Sequence, residues 1–405
     1  MESSAFSILQ TIYQSQPATR QALGERTGLG GSRISTLVSQ LIARQLVREE
    51  VCQDGRPGRP AASLSLNPDA GRVVGLDIGG RHSRAVLSDL AGQVLASRVH
   101  PTQAVPDRNI ILGNITDLAE AVCHEGRMEP DELSALGIGV RGIVNTQTGV
   151  VLGWPNTPAW ASAWIGLDVP QELGSRLGTE LIVVDDTVRA MGMTAHRFGP
   201  ARDSANFLYV FLGSGVGSAI FVGGRPYRGS NGLAGELGHV TVEEEGPWCS
   251  CGNRGCLEAL VSTSAVLRRV QDRLAESQLM SMLRDHYEKN DLTLDAMIQA
   301  AHAGDKLAFQ ILDETGTYVG KVLATALNLL GPELVVLGGP LAQDGDIIQE
   351  AVQRQVRLRA MQHISSQTRI VCDDQSTELV GAHGAALVAM DALFSSQQHL
   401  LRLSS

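Results

Sequence analysis

The sequence predicts a small helical head with a β wing, followed by an α/β body made of two related lobes. Three observations predict it. The first seventy residues carry helical apolar stripes broken by Pro and Gly turns. A strand, Gly turn, strand, turn, strand plan occurs twice, at 73–99 and at 206–230. The 405 residues, 43% apolar and 19% charged, are enough for two or three globular domains with sizeable cores.

The head comes first. Phe6, Leu9, Ile12 and Tyr13 recur at helical spacing, and Pro17 stops that helix. Thr19 is placed to cap a second helix with Leu23 facing inward. "TGLGG" is a glycine turn. Ser32 is expected to cap a third helix whose buried face is Ile34, Leu37, Val38 and Leu41. Helix, short Gly turn, helix is the plan of a helix-turn-helix, whose second member reads the major groove. Ser32, Arg33 and Thr36 then face outward as candidate DNA contacts. A three-helix bundle without a DNA role fits the same residues.

The next stretch, "LVREEVCQDGRPGRPAASLSLNP", reads as strand, basic turn, strand, which makes the head a winged helix. In "GRPGRP", Arg56 and Arg59 are flanked by Gly and Pro. An extended segment of this kind is able to lay an arginine into a narrow minor groove. It also suits a stiff interdomain linker. The net charge of −10 argues against a nucleic-acid coat over the whole chain. Residues 1–72, however, hold eight Arg against six Asp and Glu, a balance of +2, so the remainder carries −12.

No secretory signal opens the sequence, and no run reaches the roughly 18 apolar residues of a membrane helix. A cytoplasmic protein with reduced thiols and no membrane span is expected.

In the body, "VVGLDIGGRHSRAVLSDLAGQVLASRV" and "NFLYVFLGSGVGSAIFVGGRPYRGS" each start with a buried strand running into a glycine loop. Helical stretches follow, around 110–125 and 262–274. Later, "ETGTYVGKVLATALNLLGPELVVLGGPLA" is a long helix, a Gly-Pro stop and a third buried strand. Three loops therefore become candidate phosphate loops: Gly79, Gly80 and Arg81; Gly213, Ser214 and Gly215; Gly338 and Gly339. Loop amides suit phosphate, and ligands in such sheets sit beyond the carboxyl ends of strands.

Half of the six cysteines fall within eight residues, in "ELGHVTVEEEGPWCSCGNRGCLE". His239, Cys249, Cys251 and Cys256 form H-x9-C-x-C-x4-C, a donor set suited to a closed tetrahedral zinc site. With no position left for water, the Zn2+ is structural. A disulfide or ordinary buried thiols are the alternatives. Glu236 and Glu258 flank the set, so a metal there fixes two carboxylates as acceptors for sugar hydroxyls and leaves the other side of the His239 ring to a ligand or a neighbouring group.

Taken together, "LDIGG" (76–80), "GIGVRGIVN" (137–145), "PNTPAW" (155–160), "VVDDT" (183–187), "GSGVG" (213–217), "GLAGELGH" (232–239), "CSCGNRGCLE" (249–258), "VVLGG" (335–339) and "GAHGAAL" (381–387) resemble the ROK family of repressors and sugar kinases. The resemblance runs from about 73 to 393. With its winged helix, the chain is similar to the repressor branch, which holds the N-acetylglucosamine, glucose and xylose repressors. The resemblance implies an actin-like, hexokinase-like two-lobed α/β fold with sugar in the cleft. It implies sugar contacts at Asn156, Asp186, Glu236, His239 and Glu258, with Asp185 beside them, and zinc on His239, Cys249, Cys251 and Cys256. In the kinases, the residue matching Asp186 is the general base toward ATP and Mg2+.

Two departures stand out. Arg81 occupies the place of a small hydroxyl residue in the D-I-G-G-T loop of the kinases. Asp185 replaces an Asn before the catalytic Asp, and two adjacent carboxylates facing one pocket repel. The expectation is therefore a sugar-responsive transcriptional repressor that binds operator DNA as a homodimer or homotetramer. Its effector is a sugar or sugar phosphate. A protein partner docked on "ALFSSQQHLLRL" is an alternative input, and a sugar kinase with an added DNA-binding head is the rival. The expected layout is a head at 1–70, a first lobe at 71–190, a second lobe with the zinc site at 191–394, and a tail at 395–405.

Overall fold

The architecture was obtained as a computed structural model that describes residues 3–15, 17–51, 62–103, 105–153, 159–276, 279–343, 346–374, 378–400 and 403. The head consists of α1 (Ser3–Gln14), α2 (Arg20–Thr27), α3 (Gly31–Ala43), β1 (Val47–Val51) and β2 (Ala62–Leu66). Thr19 caps α2 by accepting from the Ala22 amide at 3.2 Å, as its residue type predicts. Ile34, Leu37, Val38 and Leu41 are all buried on α3. Two head expectations need correction. Phe6 is only half-buried, and Ala5 and Ile8 complete the α1 stripe instead. Helix α3 begins one residue before Ser32, with Gly30 as its cap and no side-chain cap bond.

The wing strands β1 and β2 pair antiparallel, with Val47 opposite Leu66 and Val51 opposite Ala62. The turn between them, with Arg56 and Arg59, lies outside the described residues. The connection onward is closely tied. Asn67 gives its amide side chain to the Gln45 carbonyl at 2.6 Å. Arg72 donates to the carbonyls of Pro68 and Gly71, and Asp69 pairs with both Arg48 and Arg72.

The first lobe runs β3 (Arg72–Ile78), β4 (His82–Asp89), β5 (Val94–Pro101), α4 (Arg108–Glu125), β6 (Ala135–Val140), β7 (Ile143–Asn145), β8 (Val150–Gly153), α5 (Val169–Leu177), β9 (Ile182–Asp186) and α6 (Thr187–Arg197). The second runs β10 (Phe207–Leu212), β11 (Val216–Val222), β12 (Arg225–Tyr227), α7 (Leu257–Val261), α8 (Thr263–Glu276), α9 (Arg284–Lys289), α10 (Leu294–His302), α11 (Lys306–Leu330), β13 (Leu334–Gly338), α12 (Asp346–Arg359), α13 (Gln362–Ser365) and β14 (Arg369–Cys372). Helices α14 (Val380–Ser395) and α15 (Gln397–Leu400) end the chain.

The duplication is explicit in the sheets. One has the order β5-β4-β3-β6-β9 and the other β12-β11-β10-β13-β14. In each, three antiparallel strands from a meander precede two parallel ones. Parallel neighbours require crossovers, which α4, α5, α11 and α12 and their flanking segments supply.

The chain divides into two compact units. The first contains Met1–Gly153, Ala159–Ala190 and Gly381–Ser405, and the second contains Met191–Val380. The head therefore belongs with the first lobe. So does α14, which the sequence had suggested as the end of the second lobe. Its placement has a steric cause. Gly75 on β3 and Gly137 on β6 let the α14 backbone lie directly on the sheet. A methyl group at Gly75 would come 2.0 Å from the Ala382 carbonyl, and one at Gly137 would come 1.9 Å from that of Ala385. At its far end, Phe394 stacks on Tyr13 of α1, with centroids 4.5 Å apart and planes 9° from parallel. Leu400 of α15 is buried as well.

Candidate functional site

The metal loop belongs to the second unit. His239 closes a single 3-10 turn, Leu237–His239, and Cys256 caps α7. Between them the chain folds back, with isolated bridges joining Thr241 to Cys256 and Trp248 to Arg254. Gly255 is required at the crossing. It has φ 63°, and a methyl group there would lie 1.5 Å from the Glu243 carbonyl.

These constraints bring the four donor atoms of His239, Cys249, Cys251 and Cys256 within 4.8 Å of one another. His239 Nδ1 lies 3.6 Å from Cys249 Sγ, and Cys251 Sγ lies 3.6 Å from Cys256 Sγ. A tetrahedral ion with bonds of about 2.3 Å to sulfur needs edges of roughly 3.7 Å. The spacing, the donor chemistry and the free state of all three thiols fit a metal ion such as zinc. Burial and the neighbouring thiols push Cys256 up to about 12. Burial also raises Cys251, but hydrogen bonds from the Asn253 backbone and the other two thiols outweigh it and lower the net value.

With Nδ1 turned to the sulfurs, His239 Nε2 faces Glu236 at 3.8 Å. Glu236 itself is exposed. Glu258 is 9% exposed and accepts from the Val216 amide at 3.0 Å. It thereby ties α7 to the Gly213–Gly215 loop. Sequence reasoning missed a second tie: Tyr318 of α11 donates to Glu243 at 2.5 Å.

In the first unit, β3, β6 and β9 end side by side, with Ile78 beside Val140 and Val140 beside Asp186. Asp186 Oδ1 accepts from the amides of Val188 and Arg189 at 2.8 and 3.1 Å, so it caps α6. Asp185 does not compete with it. It is 2% exposed and accepts from Arg189 Nε at 2.6 Å. This corrects the expectation of two carboxylates facing one pocket: the cation four residues on takes Asp185 out of the ligand set.

Two functional candidates were absent from the sequence reading. Asp77 is 3% exposed and accepts from Thr187 Oγ1 at 3.1 Å. Arg84 lies 3.8 Å from its other oxygen. Burial pushes the Asp77 carboxyl up, against the opposing charges of Arg141 and Arg84. A lone acid in the apolar run "VVGLDI" was the available signal.

The glycine loops differ from expectation. The Gly79 amide donates to the His82 carbonyl and the Gly213 amide to that of Gly215, so both close their own turns. Gly338 and Gly339 are buried, and a methyl group at Gly338 would lie 2.1 Å from the Tyr209 hydroxyl oxygen. Gly80, Arg81 and Ser214 are exposed. On the head, Ser32, Arg33 and Thr36 share the exposed face of α3, although the Thr36 hydroxyl donates back to the Ser32 carbonyl. Asn156 lies outside the described residues.

A three-helix winged head and a duplicated α/β body, with a loop that gathers one histidine and three cysteines, define a class: DNA-binding regulators built on a sugar-kinase-like fold. The comparisons agree. The sequence profile of the ROK family matches residues 73–392, and this chain belongs to the ROK family. Among curated relatives, the DNA-binding transcriptional repressor Mlc of Escherichia coli is 28% identical over 405 residues, covering 99% of this chain and 96% of its own. The xylose repressor of Caldicellulosiruptor bescii is 26% identical over 353 residues, 87% of each chain. Among solved structures, a ROK family transcriptional regulator homologous to E. coli Mlc aligns over 99% of this chain and 98% of its own. Its TM-score is 0.82 at 24% identity, a likeness in fold. No helix of the described residues is long and apolar enough to cross a membrane.

Proposed function

We propose that this chain is a transcriptional repressor whose winged helix binds an operator and whose body binds a sugar-class effector. The observation that carries it is the α3 face: Ser32, Arg33 and Thr36 stand exposed over a fully built apolar stripe. The alignment with Mlc includes that head as well as the body. Arg56 and Arg59 are the further DNA contacts, through the minor groove. A homodimer or homotetramer presents two heads to half-sites about 34–36 Å apart or a multiple of that.

In this reading His239, Cys249, Cys251 and Cys256 hold a structural Zn2+. The ion keeps the Glu236–His239 turn and the Glu258 end of α7 in fixed positions, with the two carboxylates as acceptors and the His239 Nε2–H as a donor for hydroxyl groups. Asn156 and Asp186 complete the sugar contacts. Effector and operator oppose each other by one coupling free energy, so operator DNA weakens effector binding by the factor by which effector weakens operator binding.

The rival is a sugar kinase with a DNA-binding head, favoured by Asp186 at the end of β9. It requires ATP and Mg2+, and the Asp77 site speaks against that, because the buried carboxyl already faces Arg84. Electrophoretic shifts of the DNA upstream of the chain's own gene, with hexoses, pentoses, amino sugars and their phosphates, test the proposal. A shift moved by one of these compounds, without ADP release, supports the repressor. ADP release abolished by Asp186→Asn, with no DNA binding, overturns it.

A further inference from the structure

We infer that Tyr318 and Arg269 are positioning residues for the metal loop: acting through Glu243 and Leu260, they fix both sides of its crossing on α11 and so set the geometry of its four donors. The inference rests on the reading that His239, Cys249, Cys251 and Cys256 hold a structural metal ion. On its outer side the loop is open, with Glu244, Glu245, Trp248 and Cys251 exposed. Inside, its backbone closes at one crossing. The amides of Val242 and Glu243 donate to the Gly255 carbonyl at 2.8 and 3.3 Å, and the Glu243 carbonyl accepts from the Gly246 amide at 2.9 Å. Glu243 thus stands between the His239 turn and Gly255, the residue before Cys256. The Cys256 thiol in turn lies 3.5 Å from the His239 carbonyl. A displacement of Glu243 is therefore passed to donors on both sides.

What holds Glu243 lies outside the loop. Tyr318, half-buried on α11, donates its hydroxyl to Glu243 Oε1 at 2.5 Å. Burial and that carboxylate push the phenol up to about 12, so the hydroxyl keeps its proton and stays a donor at neutral pH. Two cations steady the ring: the Arg269 guanidinium is 5.7 Å and the Lys321 ammonium 5.1 Å from its centroid.

Arg269 of α8 supplies the second hold. It donates to the Leu260 carbonyl of α7 at 3.2 Å, and to the Ile311 carbonyl and Thr315 hydroxyl of α11 at 2.8 and 3.2 Å. Glu314 meets its charge at 3.6 Å. Cys256 caps α7, so this fork ties the helix that follows the last thiol to α11. Ile311, Thr315 and Tyr318 recur at helical spacing, which puts both holds on one face of α11. A planar fork shared among several acceptors makes a stiff joint. Neither residue is a metal ligand. Each acts through a neighbour, as the outer partners of metal ligands do, and losing such a partner costs roughly 10–100-fold in metal affinity.

The test measures zinc release from the full chain to excess chelator, together with the visible spectrum of the cobalt(II)-loaded protein, which reports donor geometry. Tyr318→Phe keeps the ring and removes the hydroxyl. It is expected to release zinc about ten-fold faster and to shift the cobalt bands. Glu243→Ala should match it, and the double variant should add nothing further, because the two residues share one bond. Glu243→Gln keeps an acceptor for the hydroxyl and is expected to retain slow release and the native spectrum. Arg269→Lys, which keeps the charge and loses the fork, should move both readouts as Tyr318→Phe does. Arg354→Gln breaks a pair between α12 and Asp313 of α11 and leaves both unchanged. Native release and spectrum in either Tyr318→Phe or Arg269→Lys overturn the inference. Faster release with an unchanged spectrum overturns it too, because it marks ordinary stabilisation. If the unaltered chain binds neither zinc nor cobalt, the metal reading falls and the positioning role with it. If it binds both and the variants behave like it, the positioning role falls alone.

Discussion

The stack of Tyr13 on Phe394 should be the contact that holds the head against the first lobe. Phe394 is 2% exposed and Tyr13 is 8% exposed, with centroids 4.5 Å apart. Truncating a buried Phe to Ala costs about 3–5 kcal/mol through lost transfer and the cavity left behind. Most of that is ordinary burial, so one variant does not isolate the contact. The pair term does, and offset or parallel stacks contribute about 0.5–1.5 kcal/mol beyond area. A double-mutant cycle of Tyr13→Ala and Phe394→Ala should therefore show coupling in that range. A chain of several cooperative units has no single unfolding free energy, so a local observable is needed. Native-state hydrogen exchange of the peptides spanning 3–14 and 380–395 reports local opening of both partners. Each single variant should lower protection in both peptides, and the double variant should lower it by less than the sum. Helix α14 starts against Asp77, since a methyl group at Gly381 would lie 2.9 Å from its carboxyl carbon. Loosening Phe394 should therefore also weaken the effector dependence of operator binding. Effects that add within about 0.3–0.5 kcal/mol would refute the stack as a coupling contact.

Two further outcomes are expected. Cys251→Ser should drop metal content well below one ion per chain by elemental analysis and lower the melting temperature of the second unit; full metal content in folded protein would remove Cys251 from the ligand set. Asp77→Asn should raise the melting temperature at neutral pH. A carboxyl whose native pKa is raised binds more protons folded than unfolded, so stability falls as pH rises from about 3.9 through the native value. The variant's advantage should thus vanish near about pH 4, and a loss of stability in Asp77→Asn that grows as pH rises above that value would show instead that pairing with Arg84 dominates.

What the sequence made legible was what local periodicity and spacing carry. The α3 stripe was readable because four apolar residues at helical spacing leave one face to bury. The two meanders were readable because each is a local strand–turn–strand run. The set of one histidine and three cysteines was readable because all its donors fall within one loop. Contacts closed by distant segments were not. Nothing near residue 380 announces that α14 returns to the first sheet; the cause lies far upstream, in Gly75. Asp185 read as a ligand because its partner Arg189 lies on the next element, and an i, i+4 pair is only a pair once the helix start is known. The glycine loops read as amide cradles because a sequence does not distinguish an amide that closes its own turn from one that faces outward. Gly338 is glycine because of the Tyr209 ring, a packing reason with no ligand in it.

At Asp77, electrostatics bears on the choice between kinase and receptor. A divalent ion held by this carboxylate would sit about 2 Å from an oxygen. Arg84 Nη1 is 3.8 Å from that same carboxylate, which places the ion roughly 5 Å from a guanidinium. At an effective dielectric constant of about 20, a charge of +2 and a charge of +1 at that separation repel by about 7 kcal/mol. That repulsion offsets part of the ion's attraction to the carboxylate, so a divalent ion would be held more weakly here for as long as Arg84 keeps its place. The fold shared with sugar kinases keeps its strand ends and its Asp186.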